Sequence, residues 1–459
     1  MIRTLVLLGA TGDLAGRFLL PGLAALQAVD RLPDDFVVVG AGRQDRDDEA
    51  FRRHVTRCLE QHADDVPAPA REAIVGALRY RRGDFTDPDS LTTVLEGAGL
   101  DARPGPVAVY LALPPALFAP TVSTLGAVGL PAGSRVVIEK PFGENLDGAK
   151  ELNAALTEAC GEAGEQAVFR VDHVLGMATV QNLVGLRLRN PLLEAVWNSR
   201  RVDRVEVLWE EELALEGRAG YYDRAGALKD VMQNHMLQVL ALIAMEPPTG
   251  AAGRGLRDRR ADALRAVRSL PPELMTSLTR RARYTAGRIG DRAIPAYAEE
   301  EGVDPGRRTE TFAEVALEVG TERWAGTPFV LRAGKALARR RKEAVIRFRM
   351  DERPPEGGNE LRIGLDGPVD LALQLTGSEP GTPPRPVPLT LTGPPPPSDL
   401  PAYGRVLLDV LEGGSALSVR GDEAELAWRV VTPVLEAWAA DAVPLEEYAA
   451  GSSGPPRRG

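Results

Sequence analysis

Thr4-Leu5-Val6-Leu7-Leu8-Gly9-Ala10-Thr11-Gly12-Asp13-Leu14-Ala15-Gly16-Arg17 decides how the rest of the chain is read. Its first five residues form a continuous β-prone apolar run, as a strand buried on both faces of a parallel sheet requires. A glycine turn follows, and then the helix-like FLLPGLAALQAV from Phe18. Strand, glycine turn and helix N-terminus together make a phosphate cradle. Glycines let backbone N–H groups approach a pyrophosphate, and the helix dipole favours its charge. A second strand, Phe36-Val37-Val38-Val39-Gly40, leads into Ala41-Gly42-Arg43-Gln44. NAD-selective sites commonly carry a carboxylate at this strand end to hold the ribose 2′-hydroxyl, whereas an arginine pairs with a 2′-phosphate. Arg43 therefore favours NADP over NAD.

Outward from this unit, Leu78–Asp84, Val107–Leu113, Arg135–Glu139 and Ala167–Val171 continue as strands with helical patterns between them. Ligands of doubly wound folds sit at the carboxyl ends of such strands. Lys140, after the strand ending at Glu139, and Asp172-His173, after Val171, are therefore candidate site residues. Beyond Gly176 the character changes. Residues 178–189 read as a helix, 204–209 as a strand and 216–223 as a Gly- and Tyr-bearing loop. Residues 227–245 then read as one long helix on which Val231, His235, Gln238 and Leu242 share a side. Burying His235 and Gln238 in so apolar a helix is costly without partners, which marks His235 as functional. From about 310 onward strands follow one another without helices, the pattern of an antiparallel sheet. The basic run Arg339–Lys342 reads as a solvated turn, the proline-rich 380–398 as an exposed loop, and 401–441 as a final helical region.

The chain has 459 residues, 44% of them hydrophobic and 26% charged, enough for two or three domains around large cores. Its net charge of -10 argues against non-specific binding to nucleic acid or an anionic membrane. Cys58 and Cys160 offer neither a disulfide framework nor metal-ligand spacing, so no metal is expected and a reducing, cytoplasmic setting is. No apolar run approaches the roughly 18 residues of a membrane span. The expected fold is a Rossmann-type α/β dinucleotide-binding domain plus an α+β domain with a large antiparallel sheet. The expected boundaries are 1–173, 174–450 and a disordered tail at 451–459.

Taken in order, these pieces resemble the glucose-6-phosphate dehydrogenase family. The resemblance is carried by GATGDLAGR at 9–17, LALPP at 111–115, EKPFG at 139–143 and RVDHVLG at 170–176. It continues through GRAGYYDRAGALKDVMQNHMLQ at 217–238, RTETF at 308–312, RWAGTPFVLRAGKAL at 323–337, and the stretch from Leu400 to Trp438. It implies hydride transfer from C1 of a hexose to NADP. His235 would be the general base taking the C1 hydroxyl proton, and Asp172 the carboxylate that orients it. An imidazole, titrating near neutrality, suits that work. Lys140 would lie at the reacting end of the sugar and of the cofactor, Glu211 and Asp230 would bind sugar hydroxyls, and His173 and Lys335 would contact the substrate phosphate. Gly9, Thr11, Gly12, Leu14, Arg17 and Arg43 would hold the cofactor. A homodimer or homotetramer, paired through the large sheet, is also implied.

Three positions depart from the family pattern. Val174 stands where a phosphate-binding tyrosine is expected, Met177 where a substrate-binding lysine is expected, and Asp366 where a substrate-side glutamine is expected. Three readings stay open. The substrate is glucose 6-phosphate, held by His173, Lys335 and arginines such as Arg170 or those at 339–341. Alternatively it is a non-phosphorylated or otherwise 6-substituted hexose. In the third reading the chain is a non-catalytic paralogue.

Overall fold

The computed structural model describes residues 1–97, 105–217, 219–248, 253–350, 358–366, 371–393 and 398–456. They form two compact units. The first comprises Met1–Ala178, Thr249–Arg257 and Pro397–Glu425, and the second Thr179–Pro248, Asp258–Pro396 and Leu426–Gly459.

In the first unit, strands β1 (Thr4–Leu8), β2 (Val37–Gly42), β3 (Leu78–Arg82), β4 (Val107–Leu111), β5 (Arg135–Glu139) and β6 (Val168–Val171) form a parallel sheet in the order β3-β2-β1-β4-β5-β6. The short strand Ser418–Val419 adds to β6 antiparallel. The order reverses at β1, where chain crossovers leave on opposite sides and open a crevice for a dinucleotide. Alternation decides the layers: Leu5 and Leu7 face one layer of helices, while Val6 and Leu8 are equally buried on the other face. The first layer contains the helices Leu20–Ala28, Asp48–His62, Ala68–Gly76 and, returning from far along the chain, Ala402–Glu412. Each Leu or Val so buried contributes about 1.5–3 kcal/mol relative to exposure.

The second unit is built on a nine-stranded sheet. Its order is Arg385–Gly393, Leu371–Glu379, Glu360–Gly364, Arg341–Phe348, Val202–Glu210, Pro328–Gly334, Phe312–Glu318, Thr279–Thr285, Leu445–Ala449. Neighbours run antiparallel except two parallel pairs, Val202–Glu210 with Pro328–Gly334 and Thr279–Thr285 with Leu445–Ala449. No helix among the described residues is long and apolar enough to cross a membrane.

Several expectations about the fold need correction. The stretch 227–245 is not one α-helix. Leu228–Met236 is π-helical and only Leu237–Ala244 is α-helical. A π turn closes i to i+5, so the 3.6-residue period that grouped Val231 with His235 does not hold there. The proline-rich segment is a strand over Arg385–Gly393, paired with Leu371–Glu379. It lies at the sheet edge, where a missing amide costs no ladder hydrogen bond, and Pro386 and Pro388, two apart, leave the same side without donors. Residues 394–397 lie outside the described residues. The region 401–441 divides into helices Ala402–Glu412 and Gly421–Ala439, the first ended by left-handed Gly413 (φ 84°). Finally, residues 451–456 are not a loose tail. The Ala338 amide donates to the Ser452 carbonyl at 2.8 Å, Pro455 is buried, and Arg280 donates to the Pro456 carbonyl. Residues 457–459 lie outside the described residues.

Candidate active site

In the first unit, Gly9 ends β1 with φ +87°, and a Cβ there would lie 2.3 Å from the Ala112 carbonyl oxygen. Only glycine fits so close to the neighbouring strand. The turn is closed by the Gly12 amide donating to the Gly9 carbonyl at 3.0 Å and the Gly16 amide to the Gly12 carbonyl at 3.1 Å. Thr11 and Leu14 are half-buried, whereas Gly12 is exposed at the helix start that follows. Arg17 pairs at 3.4 Å with Asp13 across open surface, a contact worth little against solvent. Arg43 is exposed just past the end of β2. Its charge also reaches Asp84, whose carboxyl lies below the usual range chiefly because the Thr86 amide and hydroxyl donate to it. The cradle, its free helix start and a cation at the end of β2 fit a dinucleotide.

Lys140 follows β5 directly, half-buried, with a cis bond to Pro141. Asp172 is 1% exposed and accepts the Val174 amide at 3.1 Å, starting the tight turn His173–Gly176. The His173 ring stacks on Tyr403 at 5.6 Å between centroids. Gly176 lets the turn touch the Ala402–Glu412 helix, since a Cβ there would lie 2.5 Å from the Ala402 carbonyl oxygen. Val174 is fully buried, so the position expected to carry a phosphate-binding tyrosine belongs to the core. Met177 is half-buried at the end of the turn. Arg170 cannot serve a phosphate: it is 0% exposed, donating to Glu165 at 2.7 Å and Asn153 at 2.9 Å.

The second unit gathers the remaining residues around Glu211. Lys335 meets one carboxylate oxygen at 2.6 Å and Lys342 the other at 3.0 Å. Burial alone would push the Glu211 carboxyl up, but the two lysines outweigh it and hold it at about 2. Lys335 also lies 5.2 Å from the Tyr222 ring centroid. Lys342 lies 4.5 Å over Trp209, whose ring centroid is 5.5 Å from that of His235. His235 is 4% exposed, and its backbone amide donates to the Asn234 side chain at 2.8 Å. Asp230 accepts from the Tyr221 hydroxyl at 3.3 Å. Five residues apart, Asp230 and His235 lie one i to i+5 turn apart on the π-helix.

Lys342, Trp209 and Tyr222 are site residues the sequence reading missed. The run 339–342 is not a solvated turn throughout, because Arg341 and Lys342 open a strand. Arg341 forks onto Glu210 at 2.9 and 3.0 Å, and only Arg339 and Arg340 lie exposed before it. Asp366 does not present a bare charge either. Arg340 pairs with it and Lys342 lies 3.2 Å away, so its carboxyl is lowered despite burial. The available signal was strand alternation, which places Lys342 on the same face as Ala344 and Ile346.

Two family models cover almost the whole chain. "Glucose-6-phosphate dehydrogenase, NAD binding domain" matches residues 6–182, and "Glucose-6-phosphate dehydrogenase, C-terminal domain" matches 184–458. The glucose-6-phosphate 1-dehydrogenase of Mycolicibacterium smegmatis is 39% identical over 473 residues, spanning 98% of this chain and 94% of its own length. That of Treponema pallidum is 38% identical, spanning 98% and 92%. The crystal structure of glucose-6-phosphate 1-dehydrogenase from Mycobacterium avium matches with TM-score 0.84 and 31% identity, covering 99% of this chain and 96% of that one. A glucose-6-phosphate dehydrogenase in complex with glucose 6-phosphate matches with TM-score 0.88, 29% identity and the same coverage. Similarity of this extent over both halves makes the chain an oxidoreductase that belongs to the glucose-6-phosphate dehydrogenase family.

Proposed function

We propose that the protein oxidises glucose 6-phosphate at C1 to the 6-phosphogluconolactone. Bound NADP accepts the hydride. His235 takes the C1 hydroxyl proton on its imidazole, and Asp172 orients that ring and stabilises its cationic form. Lys140 lies at the reacting end, Glu211 and Asp230 bind ring hydroxyls, and His173 and Lys335 face the phosphate. With the family's tyrosine and lysine replaced by Val174 and Met177, Lys342 supplies a further cation from the sheet.

One observation carries the phosphate reading. Around Glu211 and Asp366, three cations (Lys335, Lys342 and Arg340) stand against two carboxylates, so the cluster retains positive charge for an anionic group. The relative solved with glucose 6-phosphate supports the same substrate. The exposed Arg43, offered to a 2′-phosphate, supports NADP over NAD. A homodimer paired through the nine-stranded sheet, at work in the cytoplasm, completes the proposal.

The test is NADP reduction with glucose 6-phosphate and with glucose, side by side. Saturation by glucose 6-phosphate at concentrations about a hundredfold or more below those needed for glucose is expected, the scale of two charge-assisted contacts. Equal or better use of glucose would overturn the phosphate assignment.

A further inference from the structure

Glu139 is the last residue of β5 and the neighbour of Lys140, and it is 8% exposed. Its side chain lies on the face of the sheet that also carries Tyr110 and Val137 of β4 and β5 and Phe169 and Val171 of β6. The Ala402–Glu412 helix covers that face with Tyr403, Val406, Leu407 and Val410. In this apolar layer the Tyr110 hydroxyl donates to Glu139 Oε1 at 2.5 Å, and the Tyr403 hydroxyl lies against the same carboxyl and helps lower its pKa. A buried carboxyl is tolerated only when donors replace its water. Tyr403 thus fastens the helix to the strand end from which Lys140 emerges. The same helix holds the other substrate-end group. Its Tyr403 ring stacks on His173, its Arg405 donates to the Gly176 carbonyl, and Gly176 admits the Ala402 carbonyl.

We propose that Glu139 is a positioning residue for the substrate. By anchoring Tyr403 it fixes the His173–Met177 turn relative to Lys140, and so sets the distance between the ends of the sugar that those residues receive. This rests on the substrate reading above. The charge of the carboxyl adds a pH dependence. Burial raises Glu139 most and the negative charge of Asp172 adds to it, while the two tyrosine hydroxyls and Lys140 pull it back, which leaves it at about 7. Below that value the carboxyl is neutral and shares its proton with the tyrosines. Above it, a second negative charge stands beside Asp172, accepting the Tyr110 hydroxyl and facing that of Tyr403.

The experiment compares Glu139→Gln, Tyr403→Phe and the double variant in the full chain. Each single change should raise KM for glucose 6-phosphate about tenfold, the scale of one lost hydrogen bond to a charged group, and leave KM for NADP within about twofold. The double variant should be no worse than the worse single, because either change breaks the same connection. Additive losses would overturn the proposal, as would a lowered melting temperature with both KM values unchanged. A substrate-free readout separates this from the substrate assignment. The chain has four histidines, so their ring signals are resolvable by NMR. In the parent protein the His173 signals should show a step near pH 7 from Glu139, relayed through Tyr403. Loss of that step in Glu139→Gln is expected, and its persistence would sink the idea. If the parent protein fails to oxidise glucose 6-phosphate, the substrate reading alone falls, and the NMR result still decides this one.

Discussion

Arg43 stands exposed beyond β2, so whatever it contributes to cofactor choice comes from a partner supplied by the cofactor. A guanidinium on a 2′-phosphate is worth about 1.5–3 kcal/mol, and the 2′-hydroxyl of NAD offers it no comparable partner. Replacing Arg43 by Ala should therefore weaken NADP roughly ten- to a hundredfold while changing NAD by less than about twofold, as steady-state KM values for the two cofactors would show. Equal losses would remove the 2′-phosphate argument. At this scale the chain was legible where chemistry is local. Gly9 needs its missing Cβ because of a neighbouring strand, yet the strand-turn-helix pattern announced it. Lys342 was not legible. Its role depends on Trp209, more than a hundred residues earlier, and on Glu211 and Asp366, which the sheet register brings to it.

The element that presents Asp230 and His235 is held from below by Glu310. Its carboxyl accepts the Leu228 amide at 3.0 Å, its carbonyl accepts the Ala227 amide at 3.2 Å, and Gly226 passes it at φ +67°. A Cβ on Gly226 would lie 2.3 Å from Glu310 Oε1. Gly226→Ala must bear the left-handed backbone, about 1–2 kcal/mol, and also displace a buried carboxyl. Thermal denaturation should show a loss of about 2 kcal/mol or more, together with a fall in kcat as the π-helix shifts. Unchanged melting and kcat would show that the turn has room. The 19-residue apolar pattern revealed that a helix was there. Its π winding stayed hidden because composition does not encode an i to i+5 ladder. The strand Arg385–Gly393 was misread for a related reason: prolines signal a loop unless the segment lies at an edge, and edge position is a property of the whole sheet.

At the scale of the whole molecule, the fold class followed from periods of 2 and 3.6, whereas the return of residues 397–425 to the first unit did not. The Ala402–Glu412 helix shows an apolar stripe, but a stripe does not say which sheet it will cover. For the second unit, Leu389 and Leu391 lie 48% and 53% exposed, opposite Leu375 and Leu373 across the edge hairpin. Exposed apolar pairs of this kind are poorly suited to solvent and suit a partner surface. If subunits pair through this sheet, light scattering should give twice 49.2 kDa for the parent protein and a monomer for Leu389→Lys/Leu391→Lys. A variant that keeps the doubled mass would exclude the hairpin from the interface.

The late helix also imposes an order on synthesis. Tyr110, Val137, Phe169 and Val171 have all been made by residue 178, but the helix that covers them ends at Glu412. At about 5–20 residues per second, a ribosome needs on the order of ten to fifty seconds to supply it. For that interval the nascent dinucleotide-binding unit presents an uncovered apolar sheet face, a binding surface for a holdase chaperone that no finished molecule displays.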